Sequence, residues 1–129
     1  MKLEGIDHVA LGVRDVSQSV AWYRQVLELE RMHEGVWGDS PAMVGIGNTA
    51  LALFPIQAKQ VKAPPGKDTV AMRHVAFRAN RSTFVEAQAR LERLGIEVEF
   101  QDHEISHSIY FLDPDGHEIE ITSYDVHEA

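Results

Sequence analysis

A tripeptide that occurs twice is the feature of this sequence that most constrains its fold. His-Val-Ala stands at residues 8–10 and again at residues 74–76, an offset of 74 − 8 = 66 positions. Each copy lies in a short run typical of a β-strand, and each run is followed by a helix signal. The chain is therefore predicted to contain two similar halves, with the two histidines at equivalent strand positions.

Each half carries the signals of one helix followed by three strands. Asp15 begins a segment that resembles a capping box, and Ser82 or Thr83 can cap the second helix, which Gly95 is well placed to end. The later strands are predicted at residues 29–32, 42–46 and 50–54, and at residues 97–100, 108–112 and 118–123. Each half is therefore predicted to fold as β-α-β-β-β.

Two modules and a linker account for the chain, which is interpreted as a single domain of 129 residues. Module one is placed at about 4–55 and module two at about 70–125. The segment between them, about 56–69, contains Pro64-Pro65-Gly66 and three lysines. This composition is typical of a surface linker.

Composition and charge limit the partners that we expect. The chain is 44% hydrophobic and 25% charged, which is typical of a globular protein with a real core. A formal net charge of −8 argues against binding to nucleic acid or to an anionic membrane surface. The chain has no cysteine, so a metal site would use His, Asp or Glu. Without a signal-like or membrane-length apolar run, we expect a cytoplasmic protein.

Small residues surround the two repeated histidines on their predicted strand faces. Side chains alternate between the two faces of a strand, so His8 shares a face with Ala10 and Gly12, and His74 shares a face with Ala76. The large apolar residues of both strands point the other way and are expected to pack under the helices. The histidine faces therefore leave room for a ligand.

Glu120 in the last predicted strand is the third candidate ligand. When the two halves are aligned at their last hairpin, its counterpart is Ala52, at an offset of 120 − 52 = 68. A site that draws on both halves would thus hold three ligands, His8, His74 and Glu120. Two imidazoles and one carboxylate can bind a divalent metal and leave positions open for chemistry. On spacing alone, a small binding domain with three incidental polar residues stays open as an alternative.

Four further residues are candidates for acid–base chemistry. They are His107, Tyr110, Tyr124 and Glu118. An imidazole titrates near neutrality, so His107 could move a proton from its place near the predicted metal-binding strand. The alternatives are a solvated loop for His107 and core packing for Tyr124. The other histidines are expected on surface turns and chain ends; they are His33, His103, His117 and His127.

Four segments resemble the vicinal oxygen chelate superfamily, which includes glyoxalase I, extradiol dioxygenases, fosfomycin-modifying thiol transferases and bleomycin-binding proteins. They are IDHVAL at 6–11, VAWY at 20–23, RHVAF at 73–77 and, most specific, IYFLDPDGHEIEI at 109–121. The resemblance covers nearly the whole chain. It implies an α+β fold in which two tandem β-α-β-β-β modules form a cupped mixed sheet with helices on the outer face. The family's metal-ligand positions fall on His8, His74 and Glu120.

The resemblance also implies a function. It implies an enzyme that depends on a divalent metal, with one metal per site (Fe2+, Mn2+, Zn2+ or Ni2+). The small-molecule substrate would chelate this metal through adjacent oxygens, and the chemistry would be that of a dioxygenase, lyase, isomerase or thiol transferase. A homodimer with sites shared between subunits is implied as well. The alternative is a metal-free drug-binding protein of the bleomycin-resistance type.

Two positions depart from the patterns of individual subfamilies. Ala52 stands where glyoxalase I carries a fourth ligand and catalytic carboxylate, which weakens the resemblance to that enzyme. Ala10 stands where fosfomycin thiol transferases usually carry threonine, although residues 107–117 resemble those enzymes closely. The resemblance therefore leaves the reaction open.

Overall fold

The computed structural model describes residues 1–126, so that His127 lies outside the described residues. The chain divides into two compact units, Met1–Lys62 and Ala63–Ala129. Their boundary falls inside the segment 56–69 that the sequence suggests as a linker. Within the part of the chain that is described, no helix has the length and apolar content needed to cross a membrane.

The first unit contains one helix and four strands. In chain order they are β1 (His8–Val13), α1 (Val16–Leu27), β2 (Glu30–Met32), β3 (Ala42–Ile46) and β4 (Thr49–Pro55). The sheet has the order β1-β4-β3-β2. The β1 and β4 strands are parallel, and the other pairs are antiparallel. This pattern places the first strand of the module beside the last.

The second unit repeats this architecture. Its elements are β5 (Val75–Arg78), α2 (Arg81–Arg93), β6 (Glu99–Asp102), β7 (His107–Leu112) and β8 (Glu118–Ser123). The sheet order is β5-β8-β7-β6, with β5 and β8 parallel and the remaining pairs antiparallel. The predicted α+β class of two β-α-β-β-β modules is therefore confirmed.

The capping residue of α1 is predicted correctly from the sequence, and that of α2 is not. Asp15 caps α1 as predicted, and its side chain accepts a hydrogen bond from the Gln18 backbone N–H at 3.0 Å. The prediction of Ser82 or Thr83 as the cap of α2 was wrong. Asn80 caps α2 instead, accepting from the Thr83 N–H at 2.8 Å, because the helix begins earlier than expected. Gly95 follows α2 with φ of +72°, as a helix stop requires.

Each sheet buries one apolar face together with its helix. Leu11, Val13, Leu51 and Leu53 in the first unit are at most 8% exposed, and Tyr23 of α1 is fully buried. The equivalent buried set of the second unit is Ile109, Phe111, Ile119 and Ile121 from the sheet and Phe84 and Leu91 from α2. The opposite faces carry the histidines, so the core is built on the sides that the sequence predicted.

Candidate metal centre

The register of the second sheet gathers polar side chains on one face. Ala76 of β5 pairs with Glu120 of β8, which pairs with Tyr110 of β7. His74 precedes β5 directly and lies two residues before Ala76, and Glu118 lies two residues before Glu120. Because side chains alternate along strands, all of these residues except Ala76 contribute a polar group to the same face.

An imidazole and a carboxylate form the centre of this face. His74 Nε2 lies 2.8 Å from Glu120 Oε1. Two ligands each about 2.1 Å from a metal, and at right angles to each other, would lie roughly 3.0 Å apart. The Glu120 side chain is 9% exposed and that of His74 is 33% exposed. The carboxylate that could ligate a metal is therefore buried, whereas the imidazole is partly open to solvent. The donor types and their separation therefore fit a divalent metal.

A second carboxylate lies near the other ring nitrogen of His74. Glu118 Oε1 lies 3.4 Å from His74 Nδ1, on the side opposite Nε2. Metal-binding histidines commonly direct their other ring nitrogen at a carboxylate, which fixes the tautomer and raises the basicity of the ligand. Glu118 is in place to do this for His74.

Tyr110 links the same face to His103, which lies on a surface turn as expected but was not predicted to contact the site. Its hydroxyl hydrogen bonds with the Glu120 carboxylate, and His103 Nε2 lies 3.0 Å from the same hydroxyl. The Tyr110 ring also meets the His74 ring edge-on, with centroids 5.6 Å apart. Burial of the phenol, together with the negative charge and hydrogen bond of Glu120, raises the pKa of Tyr110 above its usual 10.0. The phenol therefore stays protonated near neutral pH and donates to Glu120.

His8 in the first unit has the same kind of support as His74. Its Nδ1 lies 2.8 Å from Asp7 Oδ2, and its side chain is 47% exposed. When Nδ1–H donates to Asp7, the lone pair is on Nε2, the tautomer that a metal ligand needs. The structure thus gives both repeated histidines a carboxylate beside Nδ1.

Ala52 occupies the place in the first unit that Glu120 occupies in the second. Ala10 pairs with Ala52 in register, just as Ala76 pairs with Glu120, so the alignment of the two halves at this hairpin agrees with the sheet registers. Ala52 is 1% exposed and packs in an apolar cluster with Met43. A cavity of about 550 Å3 lies over this part of the first unit and is lined in part by Asp7 and Met43.

The structure brings only part of the predicted ligand set into contact. His74 and Glu120 meet directly, whereas His8 belongs to the first unit and stays a predicted ligand. Among residues 1–126, no group of three or more His, Asp or Glu side chains is arranged to hold a metal ion. His74 and Glu120 in the second unit therefore form the candidate metal centre.

The structure does not bring His107 to this centre. His107 is the first residue of β7, and its side chain points to the face opposite Tyr110. Its Nδ1 lies 3.1 Å from Nη1 of Arg81 in α2, and its Nε2 lies 3.7 Å from Asp102 Oδ1. The expectation that His107 moves protons near the metal strand therefore lacks the necessary contact, because strand alternation turns the ring towards the helix side.

Tyr124 lies beyond the end of β8 and contacts a different residue. Its side chain is exposed, and the Arg78 guanidinium lies 4.5 Å from the centre of its ring. It stands four residues after Glu120 along the chain. The structure therefore associates Tyr124 with Arg78, and a catalytic role for Tyr124 stays a prediction.

Comparison with known proteins connects this geometry to a family. The family model described as the Glyoxalase/Bleomycin resistance protein/Dioxygenase superfamily matches residues 5–121. Glutathione transferase FosA of Serratia marcescens is 31% identical over 119 residues, covering 92% of this chain and 80% of that protein. Metallothiol transferase FosB of Staphylococcus epidermidis is 28% identical over 124 residues, covering 94% of this chain and 82% of that protein.

A solved structure shows the same fold. The glyoxylase/bleomycin resistance protein/dioxygenase domain from a Frankia species superposes with a TM-score of 0.77 at 22% identity, covering 95% of this chain and 93% of that one. The family match spans both modules and all three predicted ligand positions. The names of the two relatives are those of enzymes, and one name includes a metal, so the prediction of a metalloenzyme of this type is confirmed. The chain belongs to the Glyoxalase/Bleomycin resistance protein/Dioxygenase superfamily.

Proposed function

We propose that this chain is a metal-dependent transferase that adds a thiol to a small substrate held through adjacent oxygens. The observation that carries the proposal is the 2.8 Å contact between His74 Nε2 and Glu120 Oε1. Thiol transfer is favoured over the other reactions of the superfamily because FosA and FosB are named as glutathione and metallothiol transferases.

The proposed ligand set is His8, His74 and Glu120. His8 completes it because it occupies the repeat-equivalent strand position of His74 and has a carboxylate, Asp7, at Nδ1. Two imidazoles and one carboxylate suit Mn2+, Fe2+, Zn2+ or Ni2+. When bound, such a metal supplies Lewis-acid polarisation of the substrate oxygens.

The remaining polar residues of this face orient the ligands. Glu118 fixes the His74 tautomer through Nδ1, which leaves Nε2 as the donor. Tyr110 donates a hydrogen bond to Glu120 and so restricts the orientation of the carboxylate. We include Tyr110 as a positioning residue, and we leave His107 out of the site.

Metal analysis and a thiol assay test the proposal. Protein purified without chelator is expected to contain one divalent metal per site and to lose it in His74→Ala, while Glu86→Gln on the exposed side of α2 retains it. With Mn2+ and fosfomycin as a trial electrophile, we expect loss of free glutathione or cysteine. Metal-free wild-type protein that binds a cationic aromatic drug would instead support the bleomycin-type alternative. Metal-dependent oxygen uptake with a catechol would support a dioxygenase.

We also propose a homodimer whose subunits share the sites, which the family resemblance of two-module chains supports. Mixing His8→Ala with Glu120→Ala variants tests it. If His8 is supplied by the partner, mixed dimers regain one intact site, so metal binding recovers to about a quarter of the sites. If each site forms within one chain, mixing restores nothing.

A further inference from the structure

A cationic side chain lies on the face that carries the proposed metal ligands. Arg78 is the last residue of β5, four residues after His74, so strand alternation points both side chains to the same side of the sheet. Arg78 pairs in register with Thr122, which pairs with Ser108. This row lies directly next to the row of Ala76, Glu120 and Tyr110.

The hydroxyl groups of this row are already engaged with one another. Ser108 Oγ donates to Thr122 Oγ1 at 2.9 Å, and Thr122 Oγ1 donates to the His107 carbonyl at 3.5 Å. The guanidinium of Arg78 carries five N–H donors. Hydrogen-bond donors for a ligand in this row therefore come from Arg78.

The charge of Arg78 has no acidic partner in the described part of the chain. Within residues 1–126, the ion pairs and the side-chain hydrogen bonds to carboxylates involve residues other than Arg78. The Arg78 guanidinium contacts the ring of Tyr124. The chain has a formal net charge of −8, so carboxylates are abundant. An exposed arginine that pairs with no carboxylate among residues 1–126 can offer its guanidinium to an anion from outside.

The contact with Tyr124 orients this guanidinium. Its carbon Cζ lies 4.5 Å from the ring centroid, which is within the range of a cation–π interaction. Stacking uses the face of the guanidinium, whereas hydrogen bonds use the N–H groups at its edge. A cation–π contact with Tyr124 would therefore hold Arg78 in place while N–H groups at the edge of the guanidinium bind a carboxylate or phosphonate in a bidentate manner.

The spacing of the two rows suits a small substrate. Residues two apart on a strand are about 7 Å apart along it. The row of Arg78 is separated from that of Glu120 by one such step, and His74 lies two such steps from Arg78. A molecule of a few carbons that chelates a metal held at Glu120 could therefore place a second charged group at Arg78.

We propose that Arg78, held by Tyr124, binds an oxyanion of the substrate, a carboxylate or a phosphonate, beside the metal-binding oxygens. The proposal rests on the proposed function of the same face. It assigns the substrate class as a small molecule with a chelating end and an anionic end. Arg78 is then the residue that distinguishes such substrates from uncharged ones.

Binding of matched chelators to Mn2+-loaded, full-length protein tests this proposal by calorimetry. Butyrohydroxamate and succinic monohydroxamate share the chelating head, and the second replaces a terminal methyl group by a carboxylate. A phosphonate analogue, 3-phosphonopropionohydroxamate, separates the two oxyanion classes. Wild-type protein is expected to bind at least one anionic chelator about tenfold or more tightly than butyrohydroxamate, as a charge-assisted bidentate contact implies.

Variants assign the preference to Arg78. Arg78→Gln is expected to bring the affinity ratio close to one, with Mn2+ and butyrohydroxamate binding unchanged. Arg93→Gln, an identical charge change in the last turn of α2, is expected to keep the wild-type ratio. Tyr124→Phe is expected to keep it as well, because the ring remains, whereas Tyr124→Leu is expected to reduce it.

The two proposals fail in different ways. An unchanged ratio in Arg78→Gln, with Mn2+ and butyrohydroxamate still bound, would overturn the role of Arg78 alone. Wild-type protein that binds neither Mn2+ nor butyrohydroxamate would overturn the proposed function, and the role of Arg78 with it. A larger gain in affinity for the carboxylate or for the phosphonate supports the proposal in either case and identifies which oxyanion Arg78 prefers.

Discussion

Replacing Glu118 by glutamine tests whether a carboxylate behind His74 strengthens the proposed metal ligand. Glu118 Oε1 lies 3.4 Å from His74 Nδ1, on the far side of the ring from the 2.8 Å contact with Glu120. The amide keeps the size of the side chain but removes its charge. The imidazole should then be a weaker and less firmly oriented donor, because its tautomer is no longer fixed by a negative group.

The structure indicates that Glu118→Gln loses metal affinity by an amount at the lower end of the range usual for such carboxylates. Outer carboxylates of this kind change metal affinity by about 10- to 100-fold. The 3.4 Å separation exceeds the ordinary charge-assisted length of about 2.7–2.9 Å, and the Glu118 side chain is 26% exposed, so solvent screens it. We therefore expect Glu118→Gln to weaken binding about tenfold, or about 1.4 kcal/mol. Glu120→Gln removes the charge of a proposed direct ligand and should weaken metal binding considerably more.

Competition titration of Mn2+ or Zn2+ into the three variants Glu118→Gln, Glu120→Gln and Glu86→Gln measures this graded effect. Glu86 lies on the exposed side of α2, so its replacement makes the same change in net charge away from the centre. The expected order of affinity is Glu86→Gln equal to wild type, then Glu118→Gln, then Glu120→Gln. Binding by Glu118→Gln that equals that of Glu86→Gln, or that is as weak as that of Glu120→Gln, would refute the reasoning.

Three further substitutions, two of them with a control variant, test the ligand set and the packing. His8→Ala should weaken metal binding without shifting the urea midpoint, since His8 is exposed at the start of β1; unchanged affinity would remove His8 from the ligand set. Phe84→Ala should cost about 3–5 kcal/mol in urea unfolding because Phe84 is 1% exposed, whereas Val85→Ala, at 49% exposed, should cost less than about 0.5 kcal/mol. Gly45→Ala would place a Cβ 2.8 Å from a Cα of β4 and should cost about 1–3 kcal/mol, whereas Gly66→Ala meets nothing within 4 Å and should leave the melting temperature unchanged.

The parts of the fold that repeat in the sequence could be predicted from it. The paired His-Val-Ala segments define β1 and the start of β5, and the alternation around them assigns the buried face correctly. Strands 42–46 and 118–123 are found with the predicted bounds, because turn signals delimit them. The contact between His74 and Glu120 follows from the same logic, since it needs only the register of two parallel strands.

The remaining features depend on residues just outside a predicted strand and on turns without periodicity. The sequence predicts the strand from residue 108, whereas His107 is the first residue of β7 and alternates in phase with Ile109 and Phe111, so its ring lies on the side of α2 and contacts Arg81. His103 reaches Tyr110 from the turn between β6 and β7, where its N–H donates to the Ser106 carbonyl. No repeating pattern marks such a turn, so its long-range contact could not be read from the sequence.

The registers of the two sheets show which residues of the first unit correspond to the polar residues of the second. The row of Ala10, Ala52, Met43 and Met32 in the first unit corresponds to the row of Ala76, Glu120, Tyr110 and Glu99 in the second. A single Ala52→Glu change would bury a carboxylate among methionines, where no hydroxyl like that of Tyr110 receives it, at a cost of several kcal/mol. Converting the apolar module into a ligand-bearing one therefore requires several coordinated substitutions. A single substitution therefore does not give the first unit the polar row of the second.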